Sequence, residues 1–177
     1  FNKLKLDSRI LHAIADRSYK EMTAVQEQTL AKTLKGLDVA VQSQTGTGKT
    51  AAFLITLFER FLHDSTLQRK KALIIVPTRE LAVQIEKEAR LLNHYLRFNI
   101  GSVYGGVGYV GQLSMLRKGL DIVIGTPGRL LDLSEKGFLM LKNIGILVID
   151  EADRLFDMGF LPDIKRLFQK MPVRRAR

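Results

Sequence analysis

The segment SQTGTGKT, which begins at Ser43, combines glycines, a lysine and a threonine at spacings suited to a phosphate chain. Gly46 and Gly48 allow backbone angles that turn successive N–H groups inward towards an anion. Lys49 would place a positive charge near the terminal phosphates, and the Thr50 hydroxyl is a typical Mg²⁺ ligand. Ser43 stands where the usual G-x-x-x-x-G-K-[ST] pattern has its first glycine, ahead of the tightest curvature. The segment predicts a phosphate-binding loop; the alternative is a Gly/Thr-rich turn with an unrelated lysine.

A second segment, ILVIDEAD, places three acids directly after an apolar run. Phosphoryl transfer needs a metal held opposite the phosphate loop and a group that orients the attacking water. Asp150 is the candidate for holding Mg²⁺, Glu151 for polarising the water, and Asp153 for linking this turn to a neighbouring element. The alternative is a set of acids that only favours a helix N-terminus. The position about 100 residues after a phosphate loop favours the catalytic interpretation.

Short β-branched runs alternate with amphipathic stretches, and this alternation predicts the elements that position both segments. Strands are predicted at 38–42 and 72–77, within 98–106 where a strand ends in flexible backbone, at the start of 121–129, and within 144–153 ahead of an acidic turn. Helices are predicted from Asp7 or Ser8, from the capping-box pair Thr23 and Gln26 to Gly36, over 49–63, from Thr78 to about Tyr95, after the turn at 126–129 and from Pro162. Strands that are apolar on both faces favour one α/β domain with a mostly parallel sheet and helices on both faces. The candidate segments follow strands, where such sheets bind ligands.

The composition is that of an ordinary globular chain with a strong positive charge. Lys and Arg number 28 against 18 Asp and Glu, which gives a net charge of +10, and there is no cysteine. The longest apolar run, at positions 51–55, is far too short to span a bilayer. We therefore expect a cytoplasmic chain without membrane contact, a nuclear location remaining open. The charge favours a polyanionic partner such as nucleic acid, although a solubilising surface explains the charge equally well.

Taken together, the motifs resemble those of the DEAD-box RNA helicases. SQTGTGKT, PTREL at 77–81, GG at 105–106, TPGR at 126–129 and DEAD at 150–153 occur in that family's order and spacing. The resemblance covers essentially the whole chain. It implies that residues 1–177 are an N-terminal RecA-like domain with a P-loop fold, monomeric as a fragment. It also implies an RNA helicase that uses ATP and Mg²⁺.

The resemblance assigns roles to individual residues. Cofactor-binding roles fall to Phe1, Tyr19, Gln26, Gln44, Thr45, Gly46, Thr47, Gly48, Lys49, Thr50 and Asp153. Catalytic roles fall to Lys49, Asp150 and Glu151, and metal-binding roles to Thr50 and Asp150. A groove for the RNA sugar–phosphate backbone is implied at Pro77, Thr78, Arg79, Gly105, Gly106, Thr126, Pro127, Gly128 and Arg129. For the two arginines the alternative is an ion pair with a local acid, and for GG it is a plain turn.

Adenine recognition is implied for the segment upstream of the loop. Gln26 would read the adenine edge, because its amide offers a donor and an acceptor together. Tyr19 and Phe1 would pack around the base. The family commonly has glycine, proline and proline where this chain has Ser18, Met22 and Ala24. A role for Gln26 as a capping-box residue is an alternative that is compatible with adenine reading.

The resemblance also implies parts that this sequence lacks. A strand carrying Ser-Ala-Thr would lie between the phosphate-loop strand and the strand ending at Asp150. A second RecA-like domain would supply the arginines that complete the ATP site. We therefore expect this chain alone to bind adenine nucleotide weakly, to hydrolyse it negligibly and to unwind nothing. Two alternatives stay open for the whole protein: an ATP-gated RNA clamp with little turnover, and a DNA helicase or translocase of a neighbouring P-loop family.

Overall fold

The computed structural model describes residues 1, 3–19, 21–44 and 46–172. These residues form two compact units, and each is described by itself. The first comprises Phe1–Gln68 and Lys87–Arg97, and the second comprises Arg69–Glu86 and residues 98–172. Within the described part of the chain, no helix is both long enough and apolar enough to cross a membrane.

The first unit is built from helices. They are α1 (Ser8–Asp16), α2 (Ala24–Thr33), α3 (Lys49–His63), a 3-10 turn (Ser65–Leu67) and the last residues of α4 (Arg79–Leu92). The predicted caps are confirmed: the Asp7 side chain accepts a hydrogen bond from the Arg9 N–H, and α2 opens with the Thr23–Gln26 capping box. Both α1 and α2 pack on α3, in which residues 51, 52 and 54–58 are buried.

The strand predicted at 38–42 is wrong for this structure. Among the described residues, this segment belongs to no strand. Leu37 and Val41 are exposed to 57% and 42%. An alternating apolar pattern predicts an extended segment, but a strand also needs a hydrogen-bonding neighbour. No described strand pairs with this segment, and the local pattern could not supply that information.

The second unit contains an all-parallel sheet, as the apolar runs predict. Its strands are β1 (Lys71–Ile75), β2 (Ile100–Val103), β3 (Ile122–Gly125) and β4 (Ile144–Ile149), in the order β2-β3-β1-β4. Its helices are the start of α4, α5 (Tyr109–Lys118), α6 (Pro127–Glu135), α7 (Ala152–Asp157) and α8 (Leu161–Gln169), with a 3-10 turn at Leu141–Asn143. Ile75 is level with both Gly125 and Ile149, so the strands end at one common edge.

The core of the second unit explains why the strand predictions succeeded. One face of the sheet, with Leu73, Ile75 and Val123, packs on apolar residues of α6 and α8. The residues that alternate with these along the strands, including Ile74 and Ile124, are also fully buried. Strands buried on both faces give unbroken apolar runs, which are easy to identify. By contrast, α5 was not predicted. Gln112 is its only fully buried residue, and its apolar residues Tyr109, Leu113, Met115 and Leu116 are only partly buried against the core.

Gly125 ends β3 at a crowded position that no side chain can share. A Cβ there would lie 2.7 Å from the Val103 carbonyl oxygen and 2.8 Å from Leu130 Cδ2. We expect Gly125→Ala to lower the free energy of unfolding by about 1–3 kcal/mol, because the backbone must shift. Gly111→Ala in α5 is the matched control, since its Cβ would meet nothing within 4 Å. In the control, the free energy of unfolding should rise by about 0.5–1 kcal/mol, because alanine has a higher helix propensity than glycine. Urea denaturation measures both, and equal losses would contradict the prediction.

Candidate functional site

The loop at 43–50 has the backbone that the glycine spacing predicts. Gly46 and Gly48 have φ angles of 79° and 84°, a region that side chains disfavour. Gly48 is the N-cap of α3, and Lys49 is the first helical residue. The loop therefore leads its N–H groups into a helix N-terminus, an arrangement suited to an anion. Thr45, predicted as part of this loop, lies outside the described residues.

The Lys49 ammonium is turned back onto its own loop. Nζ donates to the carbonyl oxygen of Ser43 and, at 3.3 Å, to that of Gln44. Thr47 Oγ1 donates to the Gln44 carbonyl oxygen at 2.9 Å and lies 2.8 Å from Ser43 Oγ. Because Thr47 has one hydroxyl proton, the Ser43 hydroxyl is the donor in that pair. The serine that replaces the pattern's first glycine thus braces the loop through its side chain.

The N-terminus of α2 is tied to the same loop. Thr23 Oγ1 accepts the Gln26 N–H at 3.2 Å and donates to the Thr47 carbonyl oxygen at 2.7 Å. Gln26 Oε1 accepts the Thr23 N–H at 3.0 Å, and Nε2 donates to the Gly48 carbonyl oxygen at 3.2 Å. The capping-box interpretation of Gln26 is confirmed. Adenine reading stays a prediction. Among the described contacts, Gln26 uses one N–H and one oxygen lone pair of its amide, which leaves a second N–H and a second lone pair to bind a base.

Tyr19 belongs to a polar cluster that includes residues the sequence analysis missed. Its hydroxyl donates to Glu88 Oε1 at 2.9 Å and accepts from Arg17 Nη2 at 3.2 Å. Arg17 also pairs with Glu88 at 2.8 Å. Glu88 lies 69 positions away in sequence, so no local signal could identify it as the partner. Phe1 is buried, with 8% exposure. The packing of Tyr19 and Phe1 around a base stays a prediction.

The acidic turn follows β4 in the second unit. The Asp150 N–H donates to the Ile75 carbonyl oxygen at 3.0 Å, which continues the β1–β4 ladder, and Asp150 Oδ1 accepts the Glu151 N–H at 3.0 Å. Glu151 has φ 50° and ψ 51°, a left-handed conformation that is uncommon outside glycine. Its carboxylate lies 3.4 Å from Arg154 Nη1. Asp153 is exposed in the first turn of α7. Such strain is concentrated at functional sites.

The predicted metal ligands suit Mg²⁺ rather than a protein-enclosed ion. Among the described residues, no group of three or more His, Cys, Asp or Glu could hold a metal. Thr50 and Asp150 would each offer an oxygen, one in the first unit and one in the second. Mg²⁺ binds through one or two protein oxygens together with waters and phosphates. Each of these oxygens is of a type that Mg²⁺ binds, and metal binding at these residues stays a prediction.

The strain at Glu151 leads to a stability prediction. Glu151→Gly would remove a left-handed penalty of about 1–2 kcal/mol. The greater freedom of glycine in the unfolded chain offsets about 0.5–1 kcal/mol of that gain. We therefore expect a net rise of about 0.5–1 kcal/mol in the free energy of unfolding. Glu151→Gln keeps the strained backbone and serves as the control with little change. Urea titration of the two variants decides this, and a less stable glycine variant would contradict it.

The segments predicted to bind RNA all lie at the carboxyl edge of the sheet. Pro77 and Thr78 follow β1, and Thr126 to Arg129 follow β3 and begin α6. Gly105 and Gly106 follow β2 in a segment that we call the GG loop (residues 104–108). A Cβ on either glycine would meet nothing within 4 Å, so this loop is open to the outside. The Thr126 N–H donates to the Val103 carbonyl oxygen at 3.2 Å, which holds the start of α6 beside the GG loop.

Both predicted arginines contact the GG loop. Arg79 Cζ lies 5.0 Å from the Tyr104 ring centroid, and Arg129 Nη2 donates to the Val107 carbonyl oxygen at 3.0 Å. Gln112, which the sequence analysis missed, donates to the Tyr104 carbonyl oxygen at 3.1 Å. The structure therefore brings PTREL, GG and TPGR together within the second unit. Gln112 is the buried residue of α5, and its burial could not be read from the sequence.

Proteins that combine a glycine-curled loop at a helix N-terminus with an acidic turn after a parallel strand are P-loop nucleotide-binding proteins, and this chain falls in that class. The family model for DEAD/DEAH box helicases matches residues 23–177, and the chain belongs to that family.

Named relatives agree with this membership. The chain is 43% identical over 182 residues to the ATP-dependent RNA helicase RhlB of Hamiltonella defensa, covering 100% of this chain and 43% of that protein. It is 44% identical over 177 residues to RhlB of Pectobacterium carotovorum, covering 97% and 41% respectively. A crystal structure of a hypothetical ATP-dependent RNA helicase from Sulfolobus tokodaii has a TM-score of 0.85 at 39% identity, covering 93% of this chain and 47% of that one. This chain spans less than half the length of these relatives.

Proposed function

We propose that this chain is the N-terminal, ATP-binding half of an ATP-dependent RNA helicase. In this proposal it binds ATP with Mg²⁺ and one stretch of RNA backbone, and a second RecA-like domain is required for hydrolysis and unwinding. We call the longer molecule the two-domain protein. The main support is the convergence of three motif segments on the GG loop at one edge of the sheet. The named relatives, which are called RNA helicases, support it further.

Nucleotide binding would begin with a movement of Lys49. Its ammonium would leave the carbonyl oxygens of Ser43 and Gln44 and bind phosphate oxygens, while the loop N–H groups from Gly46 to Lys49 would surround the same anion. Thr50 and Asp150 would hold Mg²⁺, which would supply positive charge to the phosphate chain. Glu151 accepts a hydrogen bond from the attacking water and orients it.

Base and phosphate recognition would be linked through Gln26. Its Nε2 donates a hydrogen bond to the Gly48 carbonyl oxygen. A base that binds the same amide would therefore be connected to the N-cap of α3 through Gln26. The tight contact supports this, because a Cβ at Gly48 would overlap Gln26 Nε2. In this proposal Tyr19 and Phe1 border the base.

RNA binding would depend on the backbone and not on base identity. Open glycines, N–H groups at the start of α6, hydroxyls and two arginines are groups that bind phosphates. None of the residues assigned to RNA is aromatic, so little readout of base identity is expected. The charge of +10 adds a general attraction to polyanions. A monomeric state for this chain and a cytoplasmic location stay predictions.

The experiment that tests this proposal compares RNA with DNA as a stimulator. We expect the ATPase rate of the two-domain protein to rise with single-stranded RNA. DNA of equal length and sequence should have an apparent affinity at least about tenfold weaker, because contacts to the 2′-OH are lost. Lys49→Ala is the control for nucleotide-dependent signal. Equal stimulation by both polymers would instead favour a DNA translocase of a related P-loop family.

A further inference from the structure

Tyr109, the first residue of α5, is surrounded by charged side chains. Its ring centroid lies 4.4 Å from Arg129 Cζ. Its hydroxyl donates to Asp132 Oδ2 and accepts from Lys136 Nζ at 2.9 Å. Lys136 Nζ and Asp132 Oδ1 also form an ion pair at 2.9 Å. We call these four residues the Tyr109 cluster, and none of the predicted motifs accounts for it beyond Arg129.

The spacing on α6 explains why three charged groups meet one phenol. Arg129, Asp132 and Lys136 are separated by three and four positions, so they lie on one face of the helix and its C-cap. The hydrogen bond from Tyr109 and the ion pair with Lys136 hold the pKa of Asp132 below its ordinary value. The carboxylate therefore stays ionised and fixes the phenol hydroxyl, which leaves the ring in place under the guanidinium.

The guanidinium of Arg129 is the link between this cluster and the GG loop. Nη2 donates to the Val107 carbonyl oxygen at 3.0 Å, and Nη1 is buried without a partner among the described residues. Gln112 and Arg79 hold the loop at Tyr104, and Arg129 holds it at Val107. Gly105 and Gly106 between these two points face open space, and Gly106 has a φ of 79°. A planar guanidinium stacked on an aromatic ring has few orientations left. The ring thus determines where Arg129 meets the loop.

We propose that Tyr109 is a positioning residue for the RNA backbone site. It holds Arg129 so that the guanidinium anchors the GG loop, and the anchored loop presents its N–H groups to a phosphate. The inference rests on the proposed function, because the GG loop is the part of the molecule that we assign to RNA. Tyr109 itself does not touch RNA. Its loss should weaken RNA binding and leave the hydrolysis step unchanged once RNA is saturating.

Hydrogen–deuterium exchange of the two-domain protein without RNA tests the anchoring directly. In Tyr109→Leu we expect amides of the GG loop to exchange about tenfold faster, because the cation–π contact and the hydroxyl bonds are both lost. Tyr109→Phe keeps the ring and should stay within about threefold of the natural chain. Amides of β1 and β3 should not change in either variant. An unchanged GG loop in Tyr109→Leu, or an equal acceleration in the strands, would overturn the proposal.

Arg129→Gln provides a second test of the anchoring, which can be used even if Tyr109→Leu does not fold. Without the guanidinium the GG loop should exchange as in Tyr109→Leu, and adding Tyr109→Phe should change it no further. A loop that stays protected in Arg129→Gln would show that Arg129 is not its anchor and would overturn the proposal.

RNA-stimulated ATPase kinetics then connect the anchor to the site. In Tyr109→Leu we expect the RNA concentration for half-maximal stimulation to rise about tenfold, while kcat stays within about twofold of the natural value. In Tyr109→Phe that RNA concentration should stay near the natural value. In the Arg129→Gln background, Tyr109→Leu should have no further effect, whereas additive losses would overturn the proposal. If RNA does not raise the ATPase rate of the natural protein, the proposed function is wrong. The exchange measurements then decide by themselves whether Tyr109 anchors the loop.

Discussion

Residues 1–177 alone will hydrolyse ATP about 10³–10⁵-fold more slowly than the two-domain protein at saturating RNA. Phosphoryl transfer needs positive charge on the transferring group from outside the phosphate loop. Arg79 and Arg129, the arginines of the predicted motifs, contact Tyr104 and Val107 of the GG loop in the second unit. In the proposed function these two arginines bind RNA, so we expect the additional positive charge from the second RecA-like domain. Phosphate release with and without RNA measures the difference.

Adding the second domain as a separate polypeptide should restore part of this rate. Binding of a fluorescent ATP analogue to the chain alone is the control, because it shows that the phosphate loop is competent. Lys49→Ala should abolish that weak binding, since the ammonium that moves to the phosphates is gone. Brisk RNA-stimulated hydrolysis by residues 1–177 with no second domain present would refute our assignment of this chain as half of the catalytic unit.

Replacing Glu151 with glutamine should lower kcat of the two-domain protein by about 10²–10⁴, the usual contribution of a general base. The amide keeps the size of the side chain and the left-handed backbone, but it cannot accept a proton from water. Binding of nucleotide and RNA should therefore persist while turnover is lost. Steady-state ATPase rates, with nucleotide affinity measured in parallel, check both parts of this prediction.

Asp157→Asn is the matched control for Glu151→Gln. It makes the same change of charge on an exposed acid at the end of α7, about 1.7 turns beyond the strained residue. Its ATPase rate should stay within about twofold of the natural value, because long-range surface charge is largely screened. Equal losses in the two variants would mean that general electrostatics, and not the Glu151 carboxylate, governs the rate.

The same variant separates a helicase from an ATP-gated RNA clamp. A helicase needs hydrolysis to release RNA and reset its cycle, so Glu151→Gln should abolish both duplex unwinding over many cycles and biological function. A clamp needs only nucleotide-dependent closure, so Glu151→Gln would keep biological function while the ATPase is lost. Complementation of a strain that lacks the natural protein, with the ATPase rate measured on the same variant, decides between the two.

Features determined by local chemistry were predictable. The curl at Gly46 and Gly48 follows from two glycines before a lysine, and α3 starts at Lys49 as its apolar pattern indicates. The capping box of α2 needed only residues three positions apart. The strand predicted at 38–42 was wrong, because a strand needs a pairing partner from a distant part of the chain. The helix α5 was not predicted, because its packing also depends on distant residues.

The sequence by itself determined which chemistry this protein carries: a phosphate-binding loop, an acidic turn and three motif segments, each set by neighbouring residues. Only the tertiary structure decided what those groups touch. It placed the Tyr19 hydroxyl on Glu88 and Arg129 on the Tyr109 ring. Hydrogen bonds and ring contacts act over a few ångströms, so partners separated by 20 to 70 positions meet only when packing brings their elements together.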